Sequence, residues 1–377
     1  MSARTPSPPR ISGFTYVRPL GSGGFAQVYL YEQDIPRRVV AVKVLGGGAT
    51  EPAALRSAFE SEADVMARLS SHPSIVSIFQ ASISQEGLPY LAMEFCPASM
   101  GAQTKGRPAP LEQVLDAGVR IAGALETAHR ARVLHRDIKP SNVLITTLGR
   151  PVLSDFGIAL VADQAAAADA RAAMSIPWSA PEVVQLDSTG SVSSEVWSLG
   201  ATLYSFAAGR SPFEKPERAQ NSREKLTARI ARAAYTPVPD AQGYEPVDAV
   251  LRRALSGRPE HRFGSMAEFG EALQGLQRGY GFDVTPLEVV ADGWIPRSTP
   301  ADSGVRGPAV SEVAGRRRRS DVRAEQRAQQ LTTDSDGVVF ERPPISPMRA
   351  GLIGAAIGAT GSALVLIGLW AMLGGLA

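Results

Sequence analysis

The sequence predicts an α+β protein of two lobes, a small β-rich one followed by a larger α-rich one, and three observations predict it. Runs dense in β-branched residues, VVAVKVL at 39–45 and PYLAMEF at 89–95, dominate to about residue 95. After residue 110 apolar side chains recur at helical spacing, as Val114, Leu115, Val119, Ile121 and Leu125 do. Between 14 and 277 that patterning never lapses for long, and 264 residues can bury a sizeable core. One helical pattern interrupts the first lobe, with Leu55, Phe59, Val65, Met66 and Leu69 on one face.

Composition narrows the class further. Of 377 residues 44% are apolar and 20% charged, which excludes a wholly disordered, collagen-like or coiled-coil chain. The net charge of +2 carries no basic footprint for nucleic acid, so none is expected as a partner. The single cysteine, Cys96, excludes an intrachain disulfide and fits a reducing compartment. Residues 1–13, opening MSARTPSPPR, hold no apolar stretch for a signal peptide and read as a floppy leader. Residues 278–349, rich in Pro, Gly, Ser and Arg and including the run Arg316–Arg319, read as a linker with too little apolar surface to fold.

Residues 350–377 differ again, with no charged side chain among them. The uncharged, largely apolar run of 20 residues Ala350–Leu369 would span about 30 Å as a helix, the thickness of a bilayer core. Trp370 falls at the far interface, and Arg342 and Arg349 lie on the near side. The sequence therefore predicts a single-pass anchor in the cell membrane, with the globular part cytoplasmic and a short C-terminus outside. Gly354 and Gly358, with Ala350 and Ser362, form a small-residue face suited to homodimerisation.

The chemistry-bearing residues start at Gly21-Ser22-Gly23-Gly24-Phe25-Ala26-Gln27-Val28, between two strand-like runs. Glycines there let backbone N–H groups approach phosphate oxygens, although an ordinary tight hairpin uses them too. A dinucleotide-binding loop is disfavoured because a strand follows, not a helix. Lys43 lies on the next strand. The sharp signal is His135-Arg136-Asp137-Ile138-Lys139-Pro140-Ser141-Asn142, followed by Asp155-Phe156-Gly157 and then Ser179-Ala180-Pro181-Glu182.

In these motifs the chain resembles the bacterial members of the eukaryotic-like (Hanks-type) Ser/Thr protein kinases, over residues 14–277. The resemblance implies the two-lobed protein kinase fold and ATP- and magnesium-dependent phosphorylation of protein Ser/Thr, with manganese as a substitute metal. It implies that the loop residues Gly21, Ser22, Gly23, Gly24, Phe25 and Val28 cover the ATP phosphates. Lys43 would hold the α/β-phosphates and pair with a glutamate of the following helix, Glu62, with Glu60 as the alternative. Ala41, Met93, Glu94, Cys96 and Leu144 would contact the nucleotide, Met93 as gatekeeper and Glu94 to Cys96 as hinge. Asp137 would accept or orient the substrate hydroxyl proton, Lys139 would neutralise the moving phosphoryl group, and Asn142 and Asp155 would hold magnesium. Arg262 is expected to pair with Glu182.

Four positions depart from the family pattern. Ala26 replaces the third glycine, Trp178 replaces a tyrosine, and Glu195 replaces an aspartate that accepts hydrogen bonds from the catalytic-loop backbone. The extra methylene of Glu195 is expected to loosen that geometry, so that aspartate there would serve as well or better. From Ile158 to Met174 there is no Ser, Thr or Tyr, so control is not expected to use phosphate in that segment. Two alternatives remain: a membrane-held pseudokinase acting as a binding scaffold, and a small-molecule kinase. Retention of Lys43, Glu62, Asp137, Lys139, Asn142 and Asp155 argues against the first, and Lys139 with Ala-Pro-Glu against the second.

Overall fold

In the computed structural model the described residues are 8–22, 26–45, 59, 63–156, 175–238 and 244–290, with 331–333 and 339–341. The apolar stretch 350–377, Gly23, Gly24, Phe25, Glu60, Glu62 and the segment 158–174 lie outside them. Among the described residues no helix is long and apolar enough to cross a membrane.

The strand-like runs of the first hundred residues pair into one antiparallel sheet. Its strands are β1 (Phe14–Ser22), β2 (Ala26–Gln33), β3 (Arg38–Leu45), β4 (Ile78–Ile83) and β5 (Pro89–Glu94), in the order β1-β2-β3-β5-β4. Register sets what shares a face. Val28 lies opposite Lys43 and Lys43 opposite Leu91, while Ala41 sits between Leu30 and Met93. Because alternate residues point to the same side, Val28, Ala41, Lys43 and Met93 line one face. The other face carries a core of Tyr29, Tyr31, Val40, Val42, Val44, Tyr90 and Ala92.

That second face corrects the reading of residues 1–13 as a floppy leader. Ile11 is buried in its core. The Tyr31 hydroxyl donates to the Pro9 carbonyl at 2.6 Å, and the Arg10 amide donates to the Glu86 carboxylate at 3.0 Å. Residues 8–13 are therefore part of the small lobe. A helix, α1, has its described residues at 63–69, with Met66 and Leu69 buried.

The large lobe is helical: α2 (Met100–Thr104), α3 (Leu111–Arg130), α4 (Pro181–Val184), α5 (Val192–Ala208), α6 (Arg223–Ala231), α7 (Glu245–Ala254) and α8 (Met266–Tyr280). Glu112 in the first turn of α3 and Arg130 in its last oppose the helix dipole favourably. At the start of α5 the Ser191 hydroxyl accepts from the Ser194 amide while the Ser194 hydroxyl accepts from the Ser191 amide, and Gly209 ends the helix at φ +70°. A second sheet joins β6 (Ala98–Ser99), just before α2, to β7 (Val143–Ile145) and β8 (Pro151–Leu153), which lie between α3 and α4 in the chain.

The packed domain also runs past residue 277, where the sequence placed the linker boundary. α8 continues to Tyr280, and residues 282–290 dock on α3 and α8. Farther along the chain, Leu331–Thr333 pairs antiparallel with Val339–Glu341.

Candidate active site

The short hairpin β7–β8 brings the two expected metal ligands together. Val143 pairs with Leu153, so Asn142 and Ser154 occupy the next rung, and the Ser154 amide donates to the Asn142 carbonyl at 2.9 Å. Asn142 precedes one strand and Asp155 follows the other, which places both at the same end of the hairpin. Asp155 adopts φ +57°, a left-handed conformation that costs a non-glycine residue free energy. Phe156 beyond it is buried in the same core as Met66, Leu69 and Ile75.

Lys43, from the sheet of the small lobe, reaches Asp155 with Nζ 3.0 Å from Oδ1. The Ser154 hydroxyl donates to the other carboxylate oxygen at 3.2 Å. Burial pushes the Asp155 carboxyl up, but the Lys43 ammonium and its hydrogen bond, with help from the Ser154 hydroxyl, outweigh it and hold the group below the usual carboxylate range. The side chain still exposes 43% of its surface, so an ion can reach it.

Asp137 is fixed from three sides. Lys139 Nζ donates to Oδ2 at 2.6 Å, Asn142 Nδ2 to the same oxygen at 3.1 Å, and the Ser175 hydroxyl to Oδ1 at 2.8 Å. Lys139 Nζ also donates to Ser175 Oγ at 3.0 Å, so these three side chains close a ring. Beneath them His135 is fully buried, and burial drives its pKa down despite nearby carboxylates. The neutral ring uses both nitrogens, donating from Nε2 to the Ser154 carbonyl at 2.9 Å and accepting the Asp137 amide on Nδ1 at 3.2 Å. α2 packs directly on this loop, where a Cβ on Gly101 would come within 2.7 Å of the Pro140 carbonyl carbon.

Glu195 fits better than its sequence suggests. Oε1 accepts the Arg136 amide at 2.7 Å, and Oε2 lies 2.6 Å from His129 Nε2. The extra methylene thus spans two donors and does not loosen the loop. The same hydrogen bond holds Arg136 at φ +65°. His129 was not singled out from the sequence. Its signal is a histidine in the last turn of a helix, six residues before His135.

The remaining sequence-based candidates are placed as follows. Val28, Ala41 and Met93 line the sheet face that carries Lys43, Gly21 lies on β1 opposite Val28, and Leu144 lies on β7 opposite Ser99. The backbone of Ser22 pairs with Gln27. Glu94 ends β5, and its amide donates to the Ser77 carbonyl at 2.9 Å. Burial, with a contribution from Glu94, pushes the Cys96 thiol up to about 12. The expected partnership of Lys43 with Glu62 falls outside the described residues. Trp178 donates from Nε1 to Ser205 Oγ at 2.9 Å, which anchors it on α5. Glu182 meets Arg262 in a two-pronged pair at 2.7 and 2.9 Å, as expected.

Comparison with known proteins agrees with this geometry. The protein kinase domain family matches residues 14–274. The Ser/Thr-protein kinase PknK of Mycobacterium tuberculosis is 38% identical over 286 residues, which is 74% of this chain and 25% of PknK. PknJ of the same organism is 32% identical over 312 residues, 79% of this chain and 49% of PknJ. PknF is 31% identical over 353 residues, 86% of this chain and 72% of PknF. The chain thus spans a quarter to about half the length of PknK and PknJ, and most of PknF. With its folded part matched almost end to end, the chain belongs to the protein kinase family, on the side of the bacterial serine/threonine kinases.

Proposed function

We propose that this chain transfers the γ-phosphoryl group of ATP to serine and threonine hydroxyls of proteins, at the cytoplasmic face of a cell membrane. The observation that carries the reading is the convergence of Lys43, Asp137, Lys139, Asn142, Asp155 and Ser175 in one hydrogen-bonded cluster, joined through Ser154. Family members use ATP and Mg2+, and the residues fit such an ion. Asn142 spends its Nδ2 on Asp137, and its Oδ1 has only a long contact of 3.4 Å from Ser141. With Asp155 this gives two oxygen donors, the ligand type magnesium and manganese prefer. Among the described residues no group of three or more His, Cys, Asp or Glu forms a closed metal cage. An open pair completed by phosphate oxygens is what phosphoryl transfer requires.

Bound magnesium supplies charge neutralisation at the phosphate oxygens. The chain's own residues do the rest. Lys43 brings a cation to the phosphates from the sheet above. Asp137, its rotamer fixed by Ser175 and Lys139, orients the acceptor hydroxyl and takes its proton. Lys139 places positive charge beside the path between them. The bond between Lys139 and Ser175 ties this machinery to the loop on which a peptide would lie, which favours a protein acceptor over a small molecule. The membrane part of the proposal rests on the uncharged residues 350–377, with Arg349 before them and Trp370 near the end. Small-residue spacing around Gly354 and Gly358 favours a homodimer in the bilayer.

The test is turnover of the purified chain with ATP, magnesium and a generic protein substrate. Asp137→Asn and Asp155→Asn should each lower the rate by orders of magnitude, and Asp137→Asn should still bind ATP. Turnover like the wild type's in either variant would defeat the assignment, and an inactive wild type would favour the scaffold reading. Alkaline carbonate washing of membranes should leave the full chain in the pellet, and deletion of 350–377 should release it. Recovery of the intact chain in the soluble fraction would remove the anchor.

A further inference from the structure

Residues 282–290 run along α3 in a way that an idle tail does not require. Thr285, itself 6% exposed, donates to Asp116 Oδ1 at 2.7 Å and exchanges hydrogen bonds with the buried Gln277 side chain at 2.8 and 3.0 Å. Leu287 packs where a Cβ on Gly270 would come within 2.7 Å of it. The Val290 amide donates to Thr127 Oγ at 3.1 Å. At the crossing point α3 carries Gly123, and a Cβ there would lie 2.2 Å from the Glu288 carbonyl oxygen. That carbonyl accepts Nε2 of His72 at 2.9 Å.

His72 is 1% exposed and sits in the turn between α1 and β4. Its Nδ1 accepts the Ser74 amide at 3.0 Å. The Ser74 carbonyl accepts the Leu153 amide at 2.9 Å, and the Leu153 carbonyl accepts the Val76 amide at 3.0 Å. Leu153 ends β8, two residues before Asp155. An unbroken series of hydrogen bonds therefore links Glu288 to the backbone that presents Asp155.

We propose that residues 283–290 are a positioning strap for the nucleotide–metal site: by clamping the His72 turn they fix β8, and with it Asp155, in the geometry that receives metal and ATP. The proposal rests on the reading of Asp155 as a magnesium ligand. Strap residues touch neither substrate nor metal; they act through His72 and Leu153. A chain of bonds is a route for coupling only if disturbing one end changes the other, which a rate measurement can show.

The experiment uses the full chain. Gly123→Ala improves the intrinsic helix propensity of α3 but drives a methyl group into the Glu288 carbonyl. His72→Asn keeps an acceptor for the Ser74 amide and cannot reach Glu288, whereas His72→Gln restores a donor toward it. In Gly123→Ala and His72→Asn the Val290 amide should exchange faster, and the KM for magnesium-ATP should rise about fivefold, the effect of one lost hydrogen bond, with a smaller change in kcat. His72→Gln should recover part of the KM change. Should Gly123→Ala fold poorly, Thr127→Val removes the Val290 acceptor with little change in shape and should give the same split. Faster exchange at Val290 with an unchanged KM overturns the strap. So does a KM rise without faster exchange, or an equal loss in kcat and KM that merely follows a lower melting temperature. Loss of turnover in Asp155→Asn beside an unaffected Gly123→Ala overturns the strap alone; full turnover in Asp155→Asn overturns the metal assignment and the strap with it.

Discussion

Glu195 fills a gap that one methylene less would leave open. Its two oxygens reach the Arg136 amide and His129 at 2.7 and 2.6 Å, and the residue is 3% exposed. Removing the carboxylate in Glu195→Ala strands buried donors, at about 1–3 kcal/mol, and should lower turnover as the Arg136–Asp137 backbone relaxes. Glu195→Asp shortens the reach by about 1.5 Å, one carbon–carbon bond, and should keep one partner and lose the other, for an intermediate melting temperature and rate. An Asp variant as stable as the wild type would mean that the start of α5 moves toward the loop to follow it. This expectation reverses the one drawn from sequence. The sequence names the substituted position, but not His129, whose location 66 residues earlier in the chain is fixed only by the packing of α3 against α5. Residues that carry the chemistry are legible because few side chains can do it; residues that position them are chosen by tertiary packing.

At the scale of elements, Arg262 joins α4 to the loop between α7 and α8 and to the start of α5. Its fully buried guanidinium pairs with Glu182 and donates to the carbonyls of Ser256 and Ser193 at 2.8 and 3.1 Å. It also lies 5.0 Å from the ring of Trp197. Arg262→Ala takes the guanidinium from the Glu182 carboxylate and from the two carbonyls, and should cost about 3–5 kcal/mol in urea unfolding. Arg262→Lys should recover only part of that, because one ammonium cannot form both prongs. A loss under about 1 kcal/mol in the Ala variant would show that water replaces the pair. This contact was legible, since motif and spacing point to it. The docked segments at 8–13 and 282–290 were not. Pro9 is held by the Tyr31 hydroxyl, and Thr285 by specific bonds to Asp116 and Gln277. Composition windows average such residues with the proline- and arginine-rich chain beside them.

For the whole molecule, two buried histidines contribute to the response to mild acid. His72 and His135 are buried, and burial holds both below the ordinary histidine value. The unfolded chain takes up protons near pH 6.5 that the folded chain refuses, so stability rises with pH through that region. The melting temperature should therefore fall as pH drops from about 7.5 to 5.5, the loss setting in near the unfolded value. A flat profile over that range would show that the folded protein admits water or a counter-ion to both rings. Asp155 belongs to a lower window. Its depressed pKa adds stability above the ordinary carboxylate range, and that contribution disappears as pH falls through the depressed value. The division into lobes was legible from where strand and helix periodicities change, because each periodicity reports which face is buried.

Cys96 adds a pharmacological consequence. It follows β5, in the stretch proposed to meet the adenine ring, where a thiol invites covalent inhibitors. With the pKa pushed up to about 12, only about one molecule in a hundred thousand carries the thiolate at pH 7. Acrylamides and mild oxidants react with the nucleophilic thiolate, so they should spare this position on the timescale of an assay. Selective ligands for this site would then have to gain their residence time from shape and hydrogen bonding.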